Sequence, residues 1–187
     1  MFADLSVSLL AGVGYALLAV KQSRWCWVFG GLSSTILVYL AFGAQLPMQA
    51  ALQAYYVAMS FYGFWHWSRQ GDGPALPIGT WPLAWHVGVA VVILIVTALA
   101  APAIATLTQA AWPQLDTATM LASLLATWMV AAAKLENWLY WIVIDAVSVF
   151  LYGAQGLWFI ALLYAIYFVI AVAGFHVWRR RWQAQSA

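Results

Sequence analysis

The sequence predicts an all-α integral membrane protein with seven transmembrane helices, built as two parallel three-helix repeats joined by one reversing helix. Three observations predict it. The 187-residue chain is 66% hydrophobic and only 6% charged, with a mean hydropathy of +0.89, which leaves a soluble fold too little polar surface to present to water. Its apolar stretches are separated by short polar breaks and approach or exceed the roughly 17 residues that a bilayer-spanning helix needs. Every basic residue then falls on one side of the topology those stretches define.

The predicted spans are 5–20, 25–42, 49–67, 81–100, 118–134, 138–153 and 157–178. The first does not read as a secretory leader. Asp4 stands where such a leader carries positive charge, and Lys21-Gln22-Ser23-Arg24 follows where small cleavage-site residues belong. Lys21 and Arg24 follow span 1, Arg69 follows span 3, Lys134 closes span 5, and Arg179, Arg180 and Arg181 follow span 7. By the positive-inside rule that side is the cytoplasm, so the N-terminus is expected outside and the C-terminus inside, as in a multi-pass membrane protein. Adding or dropping one span would scatter the basic residues over both faces.

The formal charge of +2 arises from these membrane-edge residues and gives no reason to expect nucleic acid. Cys26 is the sole cysteine, which excludes an intramolecular disulfide and most thiolate metal sites. It reads as a small apolar filler. No metal or cofactor is expected.

The two halves of the chain match. Lys21-Gln22-Ser23-Arg24-Trp25 aligns with Lys134-Leu135-Glu136-Asn137-Trp138, and Tyr39 falls opposite Tyr152 at the same offset. At a slightly shorter offset Tyr56 aligns with Tyr167, Gly63-Phe64 with Gly174-Phe175, Trp67 with Trp178 and Arg69 with Arg180. Order, helix position and charge agree together, which marks an internal duplication. Two three-helix units run parallel only if an odd number of spans separates them, and span 4, Trp81 to Ala100, supplies it. The expected organisation is a single membrane domain, 1–187, with repeat 1 at 3–70, a linker helix at 81–100 and repeat 2 at 117–182. The connectors, Ser68 to Thr80 and Ala101 to Thr117, each carry proline and one acid and have no predicted structure of their own. Parallel repeats about an axis along the membrane normal occur in secondary transporters of the SWEET type, with the substrate site near mid-bilayer at the repeat interface.

Polar residues aligned on one face of a transmembrane helix report a protein interior or a solute path. Span 6 carries Trp138, Trp141, Asp145, Ser148 and Tyr152 in steps of three and four. Span 3 does the same with Gln49, Gln53, Tyr56, Ser60, Gly63 and Trp67, and span 7 with Tyr164, Tyr167, Ala171, Gly174 and Trp178. Trp67 and Trp178, beside arginines at the inner edge, read as interfacial belt residues.

Asp145 has no such explanation. It lies about 12 Å along the helix from Asn137 and hence near the bilayer centre, where insertion of an aspartate costs on the order of 2.5–3.5 kcal/mol. No basic residue lies at matching depth. It therefore faces a wet cavity, a packing network or a cationic solute, or is protonated and hydrogen-bonded to a neighbouring helix. Trp138, Trp141, Tyr56 and Tyr167 would present π faces to a planar, cationic ring. Gln53, Asn137 and Ser60 would add hydrogen bonds.

The run Glu136-Asn137-Trp138-Leu139-Tyr140-Trp141-Ile142-Val143-Ile144-Asp145, followed by Tyr152, Gly156, Tyr164, Tyr167, Gly174 and Trp178, resembles the bacterial Pnu-type vitamin transporters, as does Tyr62-Gly63 to Trp67. The chain departs from that pattern at Trp27-Val28, where Trp-Pro is expected, and it is expected to lack an additional N-terminal helix seen in some relatives. The resemblance implies a SWEET-like three-one-three fold, a substrate site at Trp138, Trp141 and Asn137, and a homo-oligomer. It also implies facilitated diffusion of a vitamin that is trapped by phosphorylation in the cytoplasm. Family substrates are nicotinamide riboside, thiamine and riboflavin. The first two carry a ring cation, so nicotinamide riboside leads and thiamine is the close alternative. The expected substrate-binding set is Gln53, Tyr56, Ser60, Asn137, Trp138, Trp141, Asp145, Tyr164 and Tyr167.

Other classes fare worse. No His-Glu-x-x-His or Gly-x-Ser-x-Gly occurs, and His66, His86 and His176 are scattered, so no enzyme and no catalytic residue is expected. Gly71-Asp72-Gly73 reads as a turn. A retinal-type sensor needs a lysine inside the bundle, and Lys21 and Lys134 sit at its edge. A non-transporting structural subunit stays open on spacing alone, as does proton coupling through Asp145 or Glu136.

Overall fold

The computed structural model describes residues 2–43, 47–69, 76–108 and 112–185. Among them are seven α-helices: α1 Phe2–Val20, α2 Trp25–Gly43, α3 Pro47–Ser68, α4 Leu83–Thr108, α5 Pro113–Ala131, α6 Asn137–Ala154 and α7 Trp158–Gln185. They coincide with the seven predicted spans within a few residues at most ends. The Gly71-Asp72-Gly73 turn lies outside the described residues.

Two ends differ. The helix α4 does not stop at Ala100 but continues through Pro102 to Thr108, so the segment expected to be structureless is largely helical. Proline removes one bond to the carbonyl four residues back, a loss that apolar transmembrane helices accommodate locally. The helix α7 runs on to Gln185 and carries Arg179, Arg180 and Arg181 on its final turns.

Among the described residues, α2, α4, α6 and α7 are long and apolar enough to cross a membrane. The helices α3 and α5 are more polar because they carry Gln49, Gln53 and Ser60, and Thr117, Thr119, Ser123 and Thr127. The most apolar is α4, with a mean hydropathy of 2.7. It exposes Leu83, Val87, Val91, Leu94, Ile95 and Leu99, the surface a lipid environment requires.

The helix α2 packs between α1 and α3, and α6 between α5 and α7. These two bundles meet where α1 touches α7 and where α3 touches α5, while α4 lies against α5. The basic residues gather at one end. There Arg181 donates to the carbonyl of Lys21 at 3.1 Å, and Gly79 bridges to Lys134.

The turns at that end have the same shape. Gln22 between α1 and α2 and Ala133 between α5 and α6 both take left-handed backbone, at φ 54° and 50°. Residues 76–81 strap across them. The Gln22 side chain donates to the Leu76 carbonyl at 3.1 Å, the Gly79 N–H to the Ala133 carbonyl at 3.0 Å, and the Trp81 N–H to the Glu136 carboxylate at 2.9 Å.

Above these turns lie two closely packed tryptophan pairs. Trp27 meets Trp67 edge to face at 5.5 Å and 83°, and Trp138 meets Trp178 at 5.5 Å and 84°. Trp27 lies over Gly63 and Trp138 over Gly174, so closely that a methyl group on Gly174 would stand 2.6 Å from the indole. The Trp67 indole N–H donates to the Ala131 carbonyl at 2.9 Å, and the Trp178 N–H reaches Ala19 and Val20 at 3.2 and 3.1 Å. Trp67 and Trp178 are thus buried, at 8% and 0% exposure, rather than belt residues. A glycine one turn earlier makes room for a flat ring, and a helix-end carbonyl takes the N–H. These contacts also place Trp27 opposite Trp138. Trp25, its partner in the sequence alignment, is 54% exposed.

Candidate functional site

Between the bundles lies a cavity of about 950 Å³, within the range that encloses a drug-sized ligand. Its floor is at the basic end, where Ala19, Trp27, Val130 and Trp138 line it and are each at most 3% exposed. Toward the other end its lining reaches Gln49, Asp116 and Tyr152, of which Gln49 and Asp116 are exposed.

The helix α3 turns Gln53, Tyr56 and Ser60 into this space, α6 turns Trp138, Trp141 and Asp145, and α7 turns Tyr164 and Tyr167. Each set follows the three-and-four step that puts side chains on one face. The structure therefore brings together all of the sequence-predicted residues but one. Asn137 is fully buried at the α5–α6 turn, where its amide donates to the Lys134 carbonyl at 2.6 Å, and it does not line the cavity. As the first residue of α6, it is engaged in closing the turn.

The lining has a consistent chemistry. Ser60, Thr119, Ser123 and Thr127 each donate to the carbonyl four residues earlier, at 2.8, 2.8, 2.7 and 2.9 Å. Their hydroxyl protons are thereby engaged, and their oxygen lone pairs remain as acceptors. Asp145 is 3% exposed, and among the described residues nothing donates a hydrogen bond or an ion pair to it. Among the described lining residues are two carboxylates, Asp116 and Asp145, and no lysine, arginine or histidine.

Aromatic rings complete the walls. Tyr152 and Tyr164 stack at 5.2 Å and 8°, and Tyr164 meets Tyr167 edge to face at 6.1 Å. Trp141 is half-buried. Gly12 on α1 leaves space for the Tyr167 hydroxyl, which would stand 2.5 Å from an added methyl.

The sequence reading missed two contributions. The α5 series Asp116, Thr119, Ser123, Thr127 lines the cavity with the same three-and-four spacing, so the rule applied to spans 3, 6 and 7 would have found it. Tyr15, Ser33 and Ser34 from α1 and α2 also line it. Ser33 and Ser8 exchange side-chain-to-backbone bonds at 2.9 and 3.2 Å, and their helices carry no comparable polar stripe. Among the described residues no cluster of three metal-ligating side chains occurs.

Comparison with known proteins gives the site a context. The profile of the family described as nicotinamide mononucleotide transporter matches residues 5–180. The nicotinamide riboside transporter PnuC of Escherichia coli K12 is 28% identical over 199 residues, covering 92% of this chain and 83% of its own. The riboflavin/roseoflavin transporter RibM of Streptomyces davaonensis is 29% identical over 175 residues, covering 90% and 81%. Among solved structures, the vitamin B3 transporter PnuC has the same fold, with a TM-score of 0.77 at 21% identity over 97% of this chain and 82% of that one.

Proposed function

Since the chain belongs to the nicotinamide mononucleotide transporter family, and is thus a multi-pass membrane transporter rather than an enzyme, we propose that it carries a small heteroaromatic vitamin into the cell, with nicotinamide riboside the leading substrate. The observation that carries this reading is the cavity's electrical character. A space of about 950 Å³ walled by aromatic faces, acceptor oxygens and the unpartnered carboxylate of Asp145 favours a flat ring bearing positive charge. Nicotinamide riboside has such a ring in its pyridinium. The relative PnuC, named for that substrate, supports the choice.

In this reading Gln53, Tyr56, Ser60, Trp138, Trp141, Asp145, Tyr164 and Tyr167 surround the solute, and Asn137 holds the turn from which α6 starts. The two three-helix units, 3–70 and 117–182, are related repeats that rock about the linker helix, exposing the cavity to each side in turn. The matched contacts of Trp27 with Trp67 and of Trp138 with Trp178 support the repeat. With the basic end inside and the N-terminus outside, the conformation described is closed toward the cytoplasm of a bacterial inner membrane. Transport is facilitated diffusion, drawn inward by phosphorylation of the vitamin, and the working unit is a homo-oligomer.

Thiamine is the second reading, because its thiazolium ring satisfies Asp145 equally well. Riboflavin, which the relative RibM is named for, has no ring cation and ranks third. Uptake of the three labelled vitamins into liposomes reconstituted with the purified chain tests the proposal. Saturable uptake, fastest for nicotinamide riboside and with a roughly tenfold higher half-saturation concentration in Trp141→Ala, is expected. Uptake of none of the three overturns it, and flux that follows an imposed pH gradient rules out passive diffusion.

A further inference from the structure

The cavity holds a second carboxylate that the central site does not use. Asp116 lies in the first turn of α5, at the end of the cavity away from the basic residues, and is exposed while still lining the space. Tyr152, in the last turn of α6, lines the cavity with it. Tyr152 is seven residues beyond Asp145, about 10 Å further along α6.

An acid in the first turn of a helix ordinarily complements the dipole or caps free N–H groups. Here α5 has no side-chain cap, and the Asp116 amide is already bonded to the Trp112 carbonyl at 3.0 Å. Among the described residues nothing bonds the Asp116 carboxylate. It lines the same cavity as the stacked rings of Tyr152 and Tyr164, which lead through Tyr167 toward the buried, unpartnered Asp145. No cationic side chain interrupts this path among the described lining residues.

We propose that Asp116 and the Tyr152–Tyr164 pair form an outer subsite that captures a cationic aromatic solute at the cavity mouth and passes it inward to Asp145. The subsite rests on the reading of this protein as a carrier of a cationic vitamin, and it adds the residue that selects for charge at admission. A negative group at the mouth of a low-dielectric cleft raises the local concentration of cations and the rate at which they arrive. Its effect therefore falls on association, whereas Asp145 acts on retention.

The test measures association and dissociation rates by stopped-flow tryptophan fluorescence, using the full chain in lipid nanodiscs. The probes are nicotinamide riboside and its 1,4-dihydro form, which has the same outline and no ring charge. In Asp116→Asn the association rate for the cation is expected to fall by roughly threefold to tenfold, near the lower end of steering effects, with the dissociation rate unchanged. The same variant should take up the uncharged probe at the wild-type rate, which also shows that it is folded. Asp116→Glu should keep the wild-type rate for the cation. Added salt should slow association of the cation with wild type and not with Asp116→Asn. An unaltered rate for the cation in Asp116→Asn overturns the subsite, and so does an equal loss for both probes. A wild-type protein that binds neither probe overturns the functional reading and the subsite with it.

Discussion

The indole N–H of Trp178 donates to the backbone carbonyl of Ala19 across 3.2 Å, tying the last helix of the protein to the end of the first. Trp67 makes the corresponding bond to Ala131 at 2.9 Å, tying α3 to the end of α5. Both bonds cross between the bundles at the basic end, under the floor of the cavity. If the bundles separate there during transport, both must break. The Ala19 carbonyl also accepts the Gln22 N–H at 2.9 Å, whereas the Val20 carbonyl takes the same indole N–H at 3.1 Å, so losing the indole donor costs about 1–3 kcal/mol.

Trp178→Phe keeps an aromatic ring and removes this bond. It should shift the resting conformation toward one open at the basic end. Cys26, the sole cysteine, is fully buried in the cluster with Trp27, Trp67 and Trp178 and serves as a native reporter. Labelling of Cys26 by a maleimide should be several-fold faster in Trp178→Phe than in wild type. Equal labelling rates would show that the bond does not hold this end closed.

Gly174→Ala should destabilise the protein, because the new methyl stands 2.6 Å from the Trp138 indole with no room to yield. Overpacking of this kind costs about 1–3 kcal/mol. Gly88→Ala on α4 meets nothing within 4 Å and should be neutral or stabilise by up to about 1 kcal/mol. Thermal unfolding of the two variants in one detergent should place Gly174→Ala below wild type and Gly88→Ala at or above it. A Gly174→Ala variant as stable as wild type contradicts the packing described.

Asp145→Asn should bind nicotinamide riboside more weakly and yet be more stable without it. Losing a charged partner costs about 1.5–3 kcal/mol, or roughly tenfold to a hundredfold in Kd. Relieving an unpartnered buried carboxylate should raise the stability of the empty protein by about 1–2 kcal/mol. Calorimetric titration and a melting curve on the same sample test both halves. Unchanged affinity would remove Asp145 from the site.

Trp138 and Trp141 stand one turn apart and should fail differently. Trp138 is 3% exposed and locked against Trp178 and Gly174, so Trp138→Ala should cost stability, by about 3–5 kcal/mol. Trp141 lines the cavity and is only half-buried. Trp141→Ala should lose about 1–2 kcal/mol of affinity for a cationic ring, near tenfold, with little change in melting temperature. The reverse pattern would exchange their roles.

Much of this was legible in the residues. Helix number and order followed from hydropathy and from the one-sided placement of Lys21, Arg24, Arg69, Lys134 and Arg179 to Arg181. The site faces of α3, α6 and α7 followed from spacing. What was not legible depends on neighbours distant in sequence. An indole near a membrane edge looks the same in sequence whether it is exposed, as Trp25 is, or lies over a glycine, as Trp27 does over Gly63. This is why the first alignment of the halves, anchored on Trp25, was two residues out of step with the contacts. Pro102 is likewise a helix end in most sequences, and only its apolar surroundings in α4 carry the helix through it. Asn137 stands among site residues in the sequence but is turned to the Lys134 carbonyl, an outcome that composition cannot show.

The most direct test is the equilibrium affinity of the wild-type protein for nicotinamide riboside and for its uncharged 1,4-dihydro form, measured by calorimetric titration. An aromatic cavity with a buried, unpartnered carboxylate should bind the cation at least roughly tenfold more tightly. Equal affinities, or preference for the uncharged ring, would contradict a site organised around Asp145.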